Sequence, residues 1–128
     1  MGLIRSHKDL KVYQESYNTS LEIYEITKNF PREELYSLTS QIRRSSRSVS
    51  ANIAEAFHRR RYPKSFASKL NESEAEAAET QNWLDQAQDY KFIDILTHDR
   101  LYDVYNKIIA MLINMQLAPE KWSFNKNK

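Results

Sequence analysis

The sequence predicts an all-α protein, an antiparallel up-down-up-down four-helix bundle forming one domain over residues 1–128. Three observations carry that expectation. Apolar residues recur at spacings of three and four in four long segments. Pro31 and Pro63 separate the first three of them. The connections are only a few residues long, which forces neighbouring helices to run antiparallel.

The first helix is expected over about residues 8–29. Leu10, Tyr13, Tyr17, Leu21 and Tyr24 make one stripe, and Val12, Ile23, Ile26 and Phe30 make a second beside it. Such a width predicts several packing partners. The rings of Tyr13, Tyr17, Tyr24 and Tyr105 are expected in the core, with their hydroxyls at the surface. Pro31 ends this helix and suits the first turn of the next, where Glu33 and Glu34 favour the positive helix end. The second helix is predicted over residues 32–60, with Leu35, Leu38, Ile42, Val49, Ile53 and Phe57 facing inward. Its middle carries Ser45, Ser46, Ser48, Ser50, Ala51 and Ala54, small side chains that let another helix approach closely. The third, over 64–90, places Phe66, Leu70, Ser73, Ala77, Thr80, Leu84 and Ala87 on one narrow seam. The fourth, over 97–117, is capped by Thr97 or Asp94 and repeats the spacing with Leu101, Tyr105, Ile108, Leu112 and Met115. Residues 118–128 read as a loose tail.

Composition narrows the chemistry. The chain is 41% hydrophobic and 28% charged, the balance of a folded protein. It has no run of ~18 apolar residues and no secretory signal, so a cytoplasmic protein without a membrane partner is expected. Met1 to Ser6 fits a myristoylation pattern, which is read as a chance match. Cysteine is absent, which removes disulfides, thiolate nucleophiles and cysteine-ligated zinc. The only glycine is Gly2, so no glycine-rich loop can cradle a phosphate and no nucleotide cofactor is expected. A di-iron bundle needs two Glu-x-x-His pairs. Glu55 to His58 is the only one, because His7 and His98 lack a carboxylate three residues upstream. No metal, no cofactor and no enzymatic activity are therefore expected.

Charge is the informative feature. The net charge of +2 conceals Arg43, Arg44, Arg47, Arg59, Arg60, Arg61 and Lys64 set against the single acid Glu55. In the third helix Glu72, Glu74, Glu76, Glu79, Asp85 and Asp89 follow without a basic residue from Asn71 to Tyr90. Either these helices pair with one another, within the protomer or across an oligomer, or some arginines stay open to phosphate. Arginine suits phosphate because its planar fork supplies two hydrogen bonds. Arg43 and Arg47 are one turn apart on one face, whereas Arg44 lies about 100° round, nearer the apolar stripe. Arg44 is accordingly assigned to structure. Arg43, Arg47, Arg59, Arg60, Arg61 and Lys64 are assigned to nucleic-acid contact, although a helix C-terminus alone accounts for the 59–61 run. Tyr62, beside that run, is the one tyrosine expected to be available for base stacking.

Four ordered blocks of residues are also distinctive: Asp9-Leu10-Lys11-Val12-Tyr13-Gln14, the turn from Phe30 to Thr39, Gln41-Ile42-Arg43-Arg44-Ser45-Ser46, and Ser48 through Glu55. Together they resemble the bacterial four-helix bundle family of proteins encoded in 23S rRNA intervening sequences, over about Asp9 to Leu117. Accessory variability proteins of diversity-generating retroelements share the architecture more distantly. The resemblance implies a ring-like homopentamer with basic residues available to nucleic acid and no catalytic activity. The family's polar positions fall on Gln41, Arg43, Arg44, Asn52, Glu55, Arg59 and Glu79. Of these, Gln41, Arg44, Asn52, Glu55 and Glu79 read as a buried polar network. The chain departs from the family at Ala56, usually glycine, and at Ala75-Glu76, usually Gly-Ser, which implies a bulkier contact between the second and third helices. The leading expectation is a non-catalytic homo-oligomer that binds RNA or other nucleic acid, with a partner protein as a possible accompaniment. The alternative is an adapter whose arginines are all paired within the oligomer.

Overall fold

The computed structural model describes residues 4–122; the amino-terminal lipidation pattern and the end of the expected tail fall largely or wholly outside them. The described residues form α1 (Lys11–Thr27), α2 (Leu38–Phe57), α3 (Pro63–Asp89) and α4 (Ile95–Leu117), with short 3-10 turns at His7–Asp9, Arg32–Glu34 and Pro119–Lys121. Successive helices run antiparallel and close into a four-membered ring, with α2 against α3 as the most extensive contact. Arg43 reaches Thr27, Ser45 meets Thr80, Gln81 reaches Tyr102, and Arg100 pairs with Glu22, which ties α4 back to α1. The result is an all-α four-helix bundle.

Local chemistry sets the helix ends. The first segment begins as a 3-10 turn because Ser6 and Asp9 form a capping box: the Ser6 hydroxyl accepts from the Lys8 amide and Asp9 accepts from Ser6. Extended Leu10 then delays α1 to Lys11 rather than residue 8. The second helix likewise begins at Leu38, six residues later than expected. Glu34 turns its carboxylate onto the Leu38 amide (3.2 Å) and the Ser37 hydroxyl (2.7 Å), so a side chain terminates the backbone ladder there. Leu35, expected inside, is 41% exposed in the resulting turn. At the other end α2 stops at Phe57, and Arg59, Arg60 and Arg61 lie in the turn before Pro63 rather than on the helix. Pro63 takes the first position of α3. Lys91, at φ 67°, closes α3 in the left-handed conformation, with the Phe92 amide donating to the Ala87 carbonyl at 2.8 Å. Asp94, not Thr97, caps α4 by accepting from the Thr97 amide at 2.8 Å. Beyond α4, Pro119–Lys121 is a 3-10 turn and Trp122 packs on the core, so this part of the expected tail is anchored.

The seams of α3 and α4 are buried at every position named from the sequence. The α1 face is different. Its buried positions include Val12 and Ile23 but also Ser16, Thr19, Ser20 and Thr27, while Tyr17 and Tyr24 are 44% and 39% exposed. Of the tyrosines expected in the core, only Tyr105 is fully enclosed, and Tyr13 is half-buried. The Tyr105 hydroxyl, expected at the surface, is enclosed without a hydrogen-bond partner among the described residues. The buried hydroxyls of α1, in contrast, are satisfied locally: Ser16, Ser20 and Thr27 each donate to the carbonyl three residues before. A serine satisfied this way packs as a small, nearly apolar group.

One ionic contact gives a pH-dependent prediction. The His98 ring lies between Asp85 of α3 (2.7 Å) and Asp99 (2.9 Å). Burial pushes its pKa down, but the hydrogen bonds to Asp85 and Asp99 outweigh that and hold it above the ordinary value. A raised folded pKa contributes stability that is complete below about pH 6.5 and is lost as pH rises through the folded value. His98→Gln should therefore cost most stability in mildly acidic buffer and progressively less toward alkaline pH. Urea melts across that range check it, and a pH-independent cost contradicts the assignment.

Candidate nucleic-acid interface

The middle of α2 carries three arginines in different circumstances. Arg44 is clasped from α3: Nη1 donates to Glu76 at 3.3 Å, Nη2 meets Glu79, and Glu79 also accepts from the Trp83 indole at 3.0 Å. The Glu79 hydrogen bond raises the Arg44 pKa, with Glu76 assisting against partial desolvation. Because the Arg44 side chain is 47% exposed, the pair fixes the register of α2 against α3 more than it stabilises the fold.

Arg43 and Arg47 meet no carboxylate among the described residues. Arg43 donates from Nε to the Thr27 hydroxyl at 2.8 Å, and its guanidinium carbon stands 4.6 Å from the centre of the Tyr24 ring. Arg47 approaches the same ring at 5.8 Å and Lys28 at 5.0 Å. Cations held over an aromatic face are oriented without being neutralised. Neither guanidinium is neutralised by a carboxylate among the described residues; Arg47 is exposed and Arg43 half-buried. All three arginines line one open groove of about 520 Å³, together with Tyr36, Ser40 and Ser48, and no acidic residue lines it.

The remaining cations form a separate group. Roughly 15 Å of helix separates Arg47 from the end of α2. In the following turn Arg59 makes a long contact with Ser65 (3.5 Å), and Arg60 stacks on Phe57 at 3.7 Å, where burial lowers its pKa. Arg61, Tyr62 and Lys64 are exposed. The residues assigned from sequence to nucleic-acid contact therefore divide into two clusters. The expected polar network divides as well: Arg44 joins Glu79, while Glu55 joins Lys69 at 2.9 Å. Gln41 and Asn52 are half-buried and bring no side-chain hydrogen bond to either cluster among the described residues.

The acids of α3 are mostly engaged close to home. Glu72 pairs with Lys69, Glu74 accepts from Asn71 and Gln116, Glu76 and Glu79 take Arg44, and Asp85 takes His98. Within the protomer, α3 therefore neutralises one of the three α2 arginines. The departures from the family pattern are mild in place: Ala56 is enclosed, Ala75 is exposed, and Glu76 reaches over Arg44. Sequence reading missed Tyr36, Tyr24 and Lys28. No local signal could place Tyr36 outside the helix: Ser37 is a capping residue type, but its hydroxyl donates to Glu34 and it is the Glu34 carboxylate that caps Leu38.

Among the described residues, no group of three or more His, Asp or Glu side chains is placed to hold a metal ion. No described helix is long and apolar enough to cross a membrane. Residues 8–114 match the family described as 23S rRNA-intervening sequence protein. A crystal structure of a protein of unknown function from the S23 ribosomal protein family of Bacteroides thetaiotaomicron is similar, with 27% identity and a TM-score of 0.75 over 83% of this chain and 95% of that one. No curated protein matches the chain.

Proposed function

We propose that this chain, which belongs to the 23S rRNA-intervening sequence protein family, is a non-catalytic, homo-oligomeric bundle that binds RNA through the guanidinium groups of Arg43 and Arg47. The observation that carries the reading is the groove on α2, lined by three arginines and no acid, of which, among the described residues, only Arg44 is held by carboxylates. Arg59 and Lys64, in the separate cluster beyond the end of α2, offer a second basic patch. The family's printed description names a 23S rRNA intervening sequence, which is consistent with RNA as the polyanion. The test is a titration of a short labelled RNA at increasing salt. Two neutralised phosphates give a slope of log affinity against log salt of about −1.4 or steeper. Undetectable binding at low salt overturns the reading.

A second reading, an adapter whose arginines are paired by neighbouring subunits, draws on a different observation. Tyr17, Leu21 and Tyr24 form an exposed stripe on α1, beside Arg43 and Arg47, and such stripes mark association surfaces. Self-association belongs to both readings, and the resemblance sets the expected number of subunits at five. Light scattering at micromolar concentration is expected to give an oligomer, reduced in size by Leu21→Glu. A monomeric wild type contradicts the assembly.

A further inference from the structure

The RNA-binding reading explains the arginines of the α2 groove but not Tyr36. This ring is 91% exposed, the most exposed of the chain's large hydrophobic side chains among the described residues, and it contributes almost nothing to the core. The turn on either side of it, in contrast, is tightly held. The Leu35 amide donates to Arg32 (3.1 Å), the Ser37 amide to Glu34 (3.0 Å), and the Glu34 carboxylate caps α2 just beyond. A fixed turn therefore presents a solvated phenol ring at the mouth of a groove whose other notable side chains are Arg43, Arg44 and Arg47.

We propose that the groove takes an unpaired RNA segment, with a base laid on the Tyr36 ring and the adjoining phosphates on Arg43 and Arg47. The proposal rests on the phosphate reading of the same groove and adds strand selectivity to it. Phosphates alone do not distinguish a single strand from a duplex. An aromatic face does, because the π-face of a base is accessible only when the base is out of a helix. The dimensions agree with an extended strand: Ser40 and Ser48, both on the groove wall, stand about 12 Å apart along α2. The groove volume, about 520 Å³, falls within the range of clefts that enclose small ligands. Ser48 makes no side-chain hydrogen bond among the described residues, which leaves its hydroxyl for a base edge or a ribose 2′-hydroxyl.

The experiment compares two probes, a short unstructured RNA and a blunt duplex containing the same strand, against full-length wild type, Tyr36→Ala, Tyr36→Phe and the Arg43→Ala/Arg47→Ala double variant. Because Tyr36 is outside the core, its variants should fold, and unchanged thermal melts confirm it. The expected result is tighter binding of the single strand by wild type, roughly ten-fold loss of single-strand affinity in Tyr36→Ala, and recovery in Tyr36→Phe, with duplex affinity unchanged in both Tyr36 variants and both probes weakened by the double arginine variant. If wild type binds both probes equally and Tyr36→Ala alters neither, while the double arginine variant weakens both, base stacking is overturned and the phosphate reading survives. Failure of both probes to bind overturns both. Tighter binding of a deoxy strand of the same sequence overturns the assignment to RNA, and displacement of the single strand by polyglutamate at equal charge shows a site for acidic protein.

Discussion

Replacing Arg43 and Arg47 together by alanine is expected to weaken RNA binding by roughly 100-fold and to flatten the salt dependence by about 1.4 in slope. Each guanidinium contributes charge-assisted hydrogen bonds to phosphate, and for partly exposed groups the lower end of ~1.5–3 kcal/mol applies, about ten-fold per residue. The slope change follows from two fewer displaced counterions at about 0.7 each. The fold should be little affected, since among the described residues the pair gives up one hydrogen bond to Thr27 and the contacts with Tyr24. The lysine pair, Arg43→Lys with Arg47→Lys, should restore the slope and only part of the affinity, because an ammonium keeps the charge and loses the fork. Arg44→Ala behaves differently. It uncovers Glu76 and Glu79 beside the groove, so any loss of affinity comes from carboxylate repulsion and is reversed in a triple variant with Glu76→Gln and Glu79→Gln. If the double arginine variant binds as well as wild type, the groove is not where RNA sits.

The largest effect on stability is expected from Ser73→Leu. Ser73 is fully buried between α3 and α2, and its hydroxyl donates across the interface to the Val49 carbonyl at 2.8 Å. A side chain this short reaches a neighbouring helix backbone only where the two helices approach closely. Enclosed Ala77 and the Ser45–Thr80 hydroxyl pair, 2.8 Å apart, extend the same close contact. A leucine there must push the helices apart, which costs about 1–3 kcal/mol, in addition to about 1 kcal/mol for the lost hydrogen bond. Ser73→Ala removes only the hydrogen bond and should cost about 1 kcal/mol. Urea denaturation separates the two, and equal costs contradict a close contact.

The same pattern marks how far the sequence could be read. The α3 and α4 seams were legible because their apolar residues occupy a single face, and all the named positions are enclosed. The inward face of α1 was not. Ser16, Ser20 and Thr27 look polar in sequence but return their hydroxyls to their own helix, so the chain could bury them and turn Tyr17 and Tyr24 outward. The start of α2 was hidden for a related reason, since a carboxylate acting as a cap leaves no periodic trace. Among the arginines, helix geometry separated Arg43 from Arg44 by about 100° but placed Arg44 nearer the apolar stripe, whereas Arg44 is exposed and Arg43 half-buried. What distinguishes Arg44 is its pairing with Glu76 and Glu79 of α3. The contacts to Thr27 and Tyr24, and the placing of Tyr36 in the groove, depend on how α1 and the preceding turn dock on α2, which no local pattern encodes.

The account depends on Arg43 and Arg47 staying accessible in the assembled protein. Limited modification with phenylglyoxal, read residue by residue by mass spectrometry with and without a short RNA, addresses this directly. Arg43 and Arg47 should react readily in the RNA-free oligomer, Arg44 slowly, and RNA should protect the first two. Slow reaction of Arg43 and Arg47 before RNA is added, at the rate of Arg44, would contradict the account and place their guanidinium groups in a subunit contact.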